Sequence, residues 1–221
     1  MKILITGTSR GIGRVVALRY LSLGHEVVGI DLLPSSIENE KYTHFVGDIR
    51  EKSQLPDMND IDIIFNNAGV QNSENDISTN LIGSMNVTEK YLSSPVLKSI
   101  LFNASASAHT GFEFPEYAAS KAGVITYMKN VASRLAPRGV IVNSISLGGV
   151  ETLSNKPVMD DPKLWEKVMN VTPLKKWMSE EEVADWVYFL TVVNKSATGQ
   201  DFVIDNGEKD LNCTFVWPNF E

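Results

Sequence analysis

Residues 2–13, KILITGTSRGIG, place an apolar β-branched run, a glycine turn and a helix start in direct succession. That order predicts a strand over 2–6 feeding a helix, with Gly7 and Gly11 letting backbone approach a phosphate and Gly13 allowing the helix to pack tightly. The free N–H groups of such a helix N-terminus suit an anion. The spacing is G-x3-G-x-G, a departure from the G-x-G-x-x-G dinucleotide fingerprint.

Comparable runs recur along the chain: EVVGID, THFVGD, DIIFNNAG, SILFNAS, VIVNSIS and DFVID. Their apolar character on both faces suits parallel strands covered by helices, so the expected fold is an α/β, Rossmann-type doubly wound domain with a parallel sheet of about seven strands. Helices are expected over 14–23, closed by Gly24, over 116–135, closed by Pro137, and from Ser179, where Ser179 and Glu182 form a capping box. With 221 residues, 43% of them hydrophobic, and no repeat or low-complexity linker, residues 1–221 read as a single domain. The least regular part, 151–178, holds three prolines and two tryptophans, and reads as a substrate lid or as two surface helices with buried tryptophans.

Asp31 ends the second strand, 18 residues beyond Gly13, where a carboxylate can accept hydrogen bonds from both ribose hydroxyls of a dinucleotide and repels a 2′-phosphate. This favours NAD. Arg10, in the turn, leaves NADP possible, because a guanidinium can meet that phosphate. Asp48, in the GDI of residues 47–49, reads either as a group flanking the adenine or as a turn residue.

Tyr117 and Lys121 stand one helical turn apart and lean over one face. A nearby ammonium favours a phenolate, so the pair makes an acid/base catalyst out of a side chain that ordinarily titrates near 10. The alternative is a core tyrosine beside a solvated lysine. His109 has no His, Cys or carboxylate partners at ligand spacing, and no metal site is expected; His25 and His44 read as surface or turn residues.

Taken with TGTSRGIG at 6–13, NNAG at 66–69, NLIG at 80–83 and TGQDFVIDNG at 198–207, the Tyr-x3-Lys resembles the short-chain dehydrogenase/reductase family over nearly the whole chain. The resemblance implies NAD(P)-dependent interconversion of an alcohol and a carbonyl, with a catalytic tetrad of Asn80, a serine, Tyr117 and Lys121. It also implies cofactor contacts from Gly7, Arg10, Gly11, Ile12, Gly13, Asp31, Asp48, Ile49, Asn67, Ala68, Gly69 and Thr152, besides Tyr117 and Lys121. In the family the serine stands 12 or 13 residues before the tyrosine. A gapless count falls on Ala106, and Ser105, 12 residues ahead, is favoured over Ser107, 10 ahead. The connection from Gly69 to Asn80 is short, and Leu147 stands where a proline is usual. Loop lengths and the ASAH of 106–109 are most similar to the bacterial 3α-hydroxysteroid dehydrogenase/carbonyl reductase branch. The rivals are a dinucleotide-sensing protein without turnover and, behind it, a sugar-nucleotide epimerase.

Charge and composition set the partners. Twenty basic against 27 acidic residues, with no basic stripe, argue against nucleic acid. No apolar run reaches membrane-span length, a lone Cys213 forms no internal disulfide, and the start leaves no room for a leader, so a cytoplasmic protein is expected. The family suggests a homodimer or homotetramer across long helices such as 116–135, acting on a small alcohol or carbonyl compound.

Overall fold

The computed structural model describes residues 1–112 and 114–211; Cys213 lies outside the described residues. Seven strands form one all-parallel sheet: β1 Lys2–Thr6, β2 Glu26–Asp31, β3 Tyr42–Val46, β4 Ile63–Asn66, β5 Ser99–Asn103, β6 Ile141–Leu147 and β7 Asp201–Ile204. Their order is β3-β2-β1-β4-β5-β6-β7. The chain therefore winds outward one way from β1 and the other way from β4, and the crevice between the carboxyl ends of those two strands is where such sheets take ligands.

Alternation within each strand explains why the runs are apolar throughout. Leu4, Ile64, Ile100 and Phe102 face one layer, joined there by Val124, Met128 and Val131 of helix α4 (Pro115–Leu135). Ile3, Ile5, Ile63, Phe65 and Leu101 face the other, against Val16, Ala17 and Tyr20 of α1 (Gly11–Ser22) and Val183 and Val187 of α7 (Glu180–Tyr188). Both faces are thus dry, as a parallel sheet requires.

The helices obey their local signals. Proline and Glu116 open α4, where a missing N–H costs nothing and a carboxylate favours the positive helix end. Ser179 Oγ accepts from Glu182 N while the Glu182 side chain accepts from Ser179 N, the reciprocal capping box expected from sequence. At α1 the N-cap residue Arg10 is extended and provides no side-chain cap, which leaves the N–H groups of the first turn available. The remaining helices are α2 (Ser84–Tyr91), preceded by a π-helical stretch at Ile77–Gly83, the one-turn α3 (Ser107–Thr110), and α5 (Lys156–Met159) and α6 (Pro162–Val171). His44 is not in a turn but within β3, its ring nitrogens bonded to Tyr42 Oη and the Leu33 carbonyl.

Tyr20 is fully buried, and its hydroxyl lies 2.5 Å from Thr191 Oγ1, joining α1 to the π-helical stretch Phe189–Val193 that continues α7. Burial pushes the phenol's pKa up, so it stays neutral and needs that partner. Thr191→Val should therefore lower unfolding free energy by about 1–3 kcal/mol in denaturant titrations. Tyr20→Phe should cost less, because Thr191 keeps its bond to the Val187 carbonyl.

Candidate active site

The first half of the site is the glycine turn after β1. Gly7 and Gly11 have φ of +77° and +63°, backbone that side chains rarely adopt. At Gly13 an added Cβ would stand 2.1 Å from the Gly7 carbonyl oxygen and 2.6 Å from Asn67 Nδ2. Helix α1 thus starts hard against the turn, with the backbone of Gly11, Ile12 and Gly13 at its uncapped end and the exposed Arg10 just before it. A cradle of bare backbone at a helix N-terminus fits the pyrophosphate of a dinucleotide.

Side chains from neighbouring strands fix this turn. Thr6 Oγ1 accepts the N–H groups of Asn67 and Ala68 at 3.0 and 2.9 Å, and Asn67 Nδ2 donates to the Thr6 carbonyl at 3.0 Å. Asp31 Oδ2 accepts from Ser9 N and its Oδ1 from Leu33 N, both at 2.9 Å. The carboxylate at the end of β2 therefore staples the turn, leaving further lone pairs on both oxygens. Asp48 is held by the Arg50 guanidinium at 2.6–3.1 Å, which keeps its carboxyl below the usual range. Ile49 packs against Gly83, whose added Cβ would stand 2.6 Å away.

The second half lies on α4. Lys121 is 5% exposed, and its Nζ donates to the Asn103 carbonyl at 2.7 Å while standing 5.7 Å from the centre of the half-buried Tyr117 ring. Burial pulls its pKa down to about 8, opposed by the charge of Asp76. Gly69 joins the two halves: a Cβ there would stand 2.9 Å from Asn80 Oδ1 and 3.5 Å from Lys121 Nζ.

Asn80, 1% exposed within the π-helical stretch, has a fully engaged side chain. It accepts from Val70 N at 2.8 Å, donates to the Val70 carbonyl at 2.9 Å and donates to Ser120 Oγ at 2.9 Å. Ser105 and Ser107 are both buried at the end of β5, with Ser105 Oγ donating to Ser107 Oγ and accepting from Ser107 N, each at 3.2 Å. Two residues on, His109 Nε2 lies 2.7 Å from Asp201 Oδ2, and Ser144 and Ser146 donate to the same carboxylate. Thr152 follows β6 in a turn whose hydrogen bonds are local, its N–H to Val150 and its carbonyl from Asn155.

Sequence reading missed Asp76 and Ser120, although each was signalled by spacing. Asp76 lies four residues before Asn80 and Ser120 three after Tyr117, helical intervals that put each pair on one face. It also missed Glu180, whose Oε1 lies 3.8 Å from where a Cβ on Gly11 would stand.

The chain is similar to known proteins over nearly its whole length. Residues 7–209 match the family described as enoyl-(acyl carrier protein) reductase. Glucose 1-dehydrogenase of Gluconobacter oxydans is 26% identical, over 93% of this chain and 91% of its own. A 3-oxoacyl-(acyl-carrier-protein) reductase of Thermotoga maritima is 29% identical, over 92% and 96%. Among solved structures, a short-chain type dehydrogenase/reductase from Mycobacterium marinum superposes with a TM-score of 0.84 at 28% identity, over 95% of both chains. The chain belongs to the short-chain dehydrogenase/reductase family, a family of NAD(P)-dependent oxidoreductases. Among the described residues no helix is long and apolar enough to cross a membrane.

Lys121 also makes stability depend on pH. Its native pKa, about 8, lies below the unfolded value near 10.5, so between those limits the unfolded chain holds more protons and stability rises with pH. The burial penalty is fully present below about 8 and relieved above it. Relative to Lys121→Met, which cannot titrate, the parent should gain on the order of 3 kcal/mol from pH 8 to 10.5 in chemical unfolding.

Proposed function

We propose that the protein interconverts an alcohol and a carbonyl compound, with Tyr117 as the proton carrier and a nicotinamide dinucleotide as the redox partner. The observation that carries this reading is the buried Lys121 ammonium, held by the Asn103 carbonyl beside the Tyr117 ring at the ligand-binding edge of the sheet. When bound, the nicotinamide would take a hydride from the alcohol carbon or deliver one to the carbonyl carbon. In oxidation the Tyr117 phenolate takes the hydroxyl proton, and in reduction the phenol gives it back. The nearby ammonium makes the phenolate accessible near neutral pH, and the same ammonium suits the nicotinamide ribose.

Ser105 is assigned to the substrate oxygen. Its Oγ already accepts a backbone N–H and passes its hydrogen to Ser107 Oγ, so rotation of that hydrogen toward a carbonyl oxygen exchanges one acceptor for another. Asn80 is assigned to holding the site around Lys121 through Val70 and Ser120, and to a water extending the relay. The glycine turn with Ile12 and Arg10, the Asn67–Gly69 segment, Asp48, Ile49 and Thr152 are assigned to the dinucleotide. Residues 151–178 are assigned to covering the substrate, a role that fits α6, none of whose side chains is buried and whose Leu164 and Val171 are exposed. A homodimer or homotetramer across α4, in a cytoplasmic setting, belongs to the same reading.

NAD is the proposed cofactor, since the Asp31 carboxylate repels a 2′-phosphate. Fluorescence titrations with NADH and NADPH test this; tighter NADPH binding refutes it. For comparison, a protein of the same fold from Agrobacterium tumefaciens, at 24% identity and a TM-score of 0.83, was solved with bound NADP.

Steady-state assays over a panel of alcohols and carbonyls, run on the parent and three variants, test the chemistry. Tyr117→Phe should abolish turnover and leave NADH affinity nearly unchanged, since only a hydroxyl is removed. Ser105→Ala should lose roughly 100-fold in kcat and Ser107→Ala much less, as expected for removing a positioned donor. An active Tyr117→Phe enzyme would refute the mechanism, and a parent without turnover on any redox pair would make the protein a dinucleotide sensor.

A further inference from the structure

We propose that Asp76 is the buried counter-charge of Lys121, a positioning residue that keeps the ammonium of the tyrosine–lysine pair charged inside the protein. The inference goes beyond the tetrad and rests on the reading of Tyr117 and Lys121 given above.

Asp76 is 1% exposed, less than any other charged side chain among the described residues. Burying a carboxylate is costly unless charge or hydrogen bonds compensate it. Its Oδ1 accepts from Ser73 Oγ at 3.0 Å and from Ser73 N at 3.3 Å, two neutral donors from its own turn. Lys121 belongs to α4, the helix packed against the π-helical stretch that Asp76 immediately precedes. Asp76 lies four residues before Asn80, on the face that meets α4, and Asn80 Nδ2 reaches Ser120 Oγ, the residue next to Lys121. Beside them Gly69 leaves no side chain between Asn80 and Lys121 Nζ.

The other groups facing Lys121 are uncharged or already paired. From β4 and β5 come Gly69 and the Asn103 carbonyl, and from its own helix comes Tyr117. Arg50, next to this segment through Asn75, is committed to Asp48, and Glu74 is exposed. Asp76 is accordingly the charge whose attraction opposes the burial penalty at Lys121.

The consequence is electrostatic. An uncompensated buried lysine gives up its proton, and a neutral amine neither favours a phenolate nor binds ribose hydroxyls as a full cation. Asp76 prevents this from a distance, without touching substrate.

The test is a pH titration of the Lys121 13Cε resonance in 13C-lysine-labelled protein, assigned by its loss in Lys121→Met. In Asp76→Asn the Lys121 midpoint should fall by about one pH unit or more. With the parent midpoint near 8, roughly fivefold less of the lysine is then charged at pH 8, and turnover at that pH should drop in step. If Asp76→Asn does not fold, Asp76→Ser carries the same readout. A lowered melting temperature with an unmoved Lys121 midpoint would overturn the proposal and leave Asp76 a structural residue. A midpoint that falls while turnover at pH 8 holds would support the counter-charge and instead overturn the assignment of Lys121 to catalysis.

Discussion

The hydroxyl of Thr6 holds together the two strands whose divergence makes a binding crevice. By accepting from both Asn67 and Ala68, it clamps the end of β1 to the end of β4 at the point where the winding of the sheet reverses. Both the glycine turn and the Asn67–Gly69 segment grow out of that clamp, and Gly69 in turn borders Asn80 and Lys121. The glycine turn and the Tyr117–Lys121 pair are therefore not two independent features on one sheet. They hang from the same pair of strand ends, which fixes the spacing between them before any ligand arrives, as preorganised catalysis requires.

The fold was legible because its signals are local and repetitive. Period and β-branching marked each strand, the capping box marked α7, and the glycine turn marked where α1 begins, although its first turn came in three residues ahead of expectation. The π-helical winding at Ile77–Gly83 was not legible, since Asn80 there meets a partner distant in sequence, its Nδ2 donating to Ser120 Oγ of α4. The THFVGD run put His44 in a strand, but its side-chain bonds to Tyr42 and to the loop after β2 were not legible.

At the site, residue types and spacings showed which groups are present but not each side chain's occupation. Asp31 was read as a ribose contact and Asp48 as either an adenine neighbour or a turn residue; the folded chain adds bonds that neither reading named, from Asp31 to Ser9 and Leu33 and from Asp48 to Arg50. Asn80 similarly spends its amide on Val70 and Ser120. A sequence shows which groups are present; only packing shows which hydrogen bonds remain to be made. Polar atoms left over are equally invisible in one dimension, as with the buried Asn103 Oδ1 and Trp177 Nε1, which have no partner among the described residues.

The carboxylate of Asp201 gathers Ser144 and Ser146 from β6 and His109 from α3, the helix that begins at Ser107. An edge strand is usually the most permissive place to accept change. Here the first residue of the edge strand β7 is tied, through one imidazole, to the short helix beside the paired serines. Substitutions that drift into Asp201 would thus disturb the segment that holds Ser105 and Ser107 as well as the sheet edge, so this end of the edge strand evolves together with that segment.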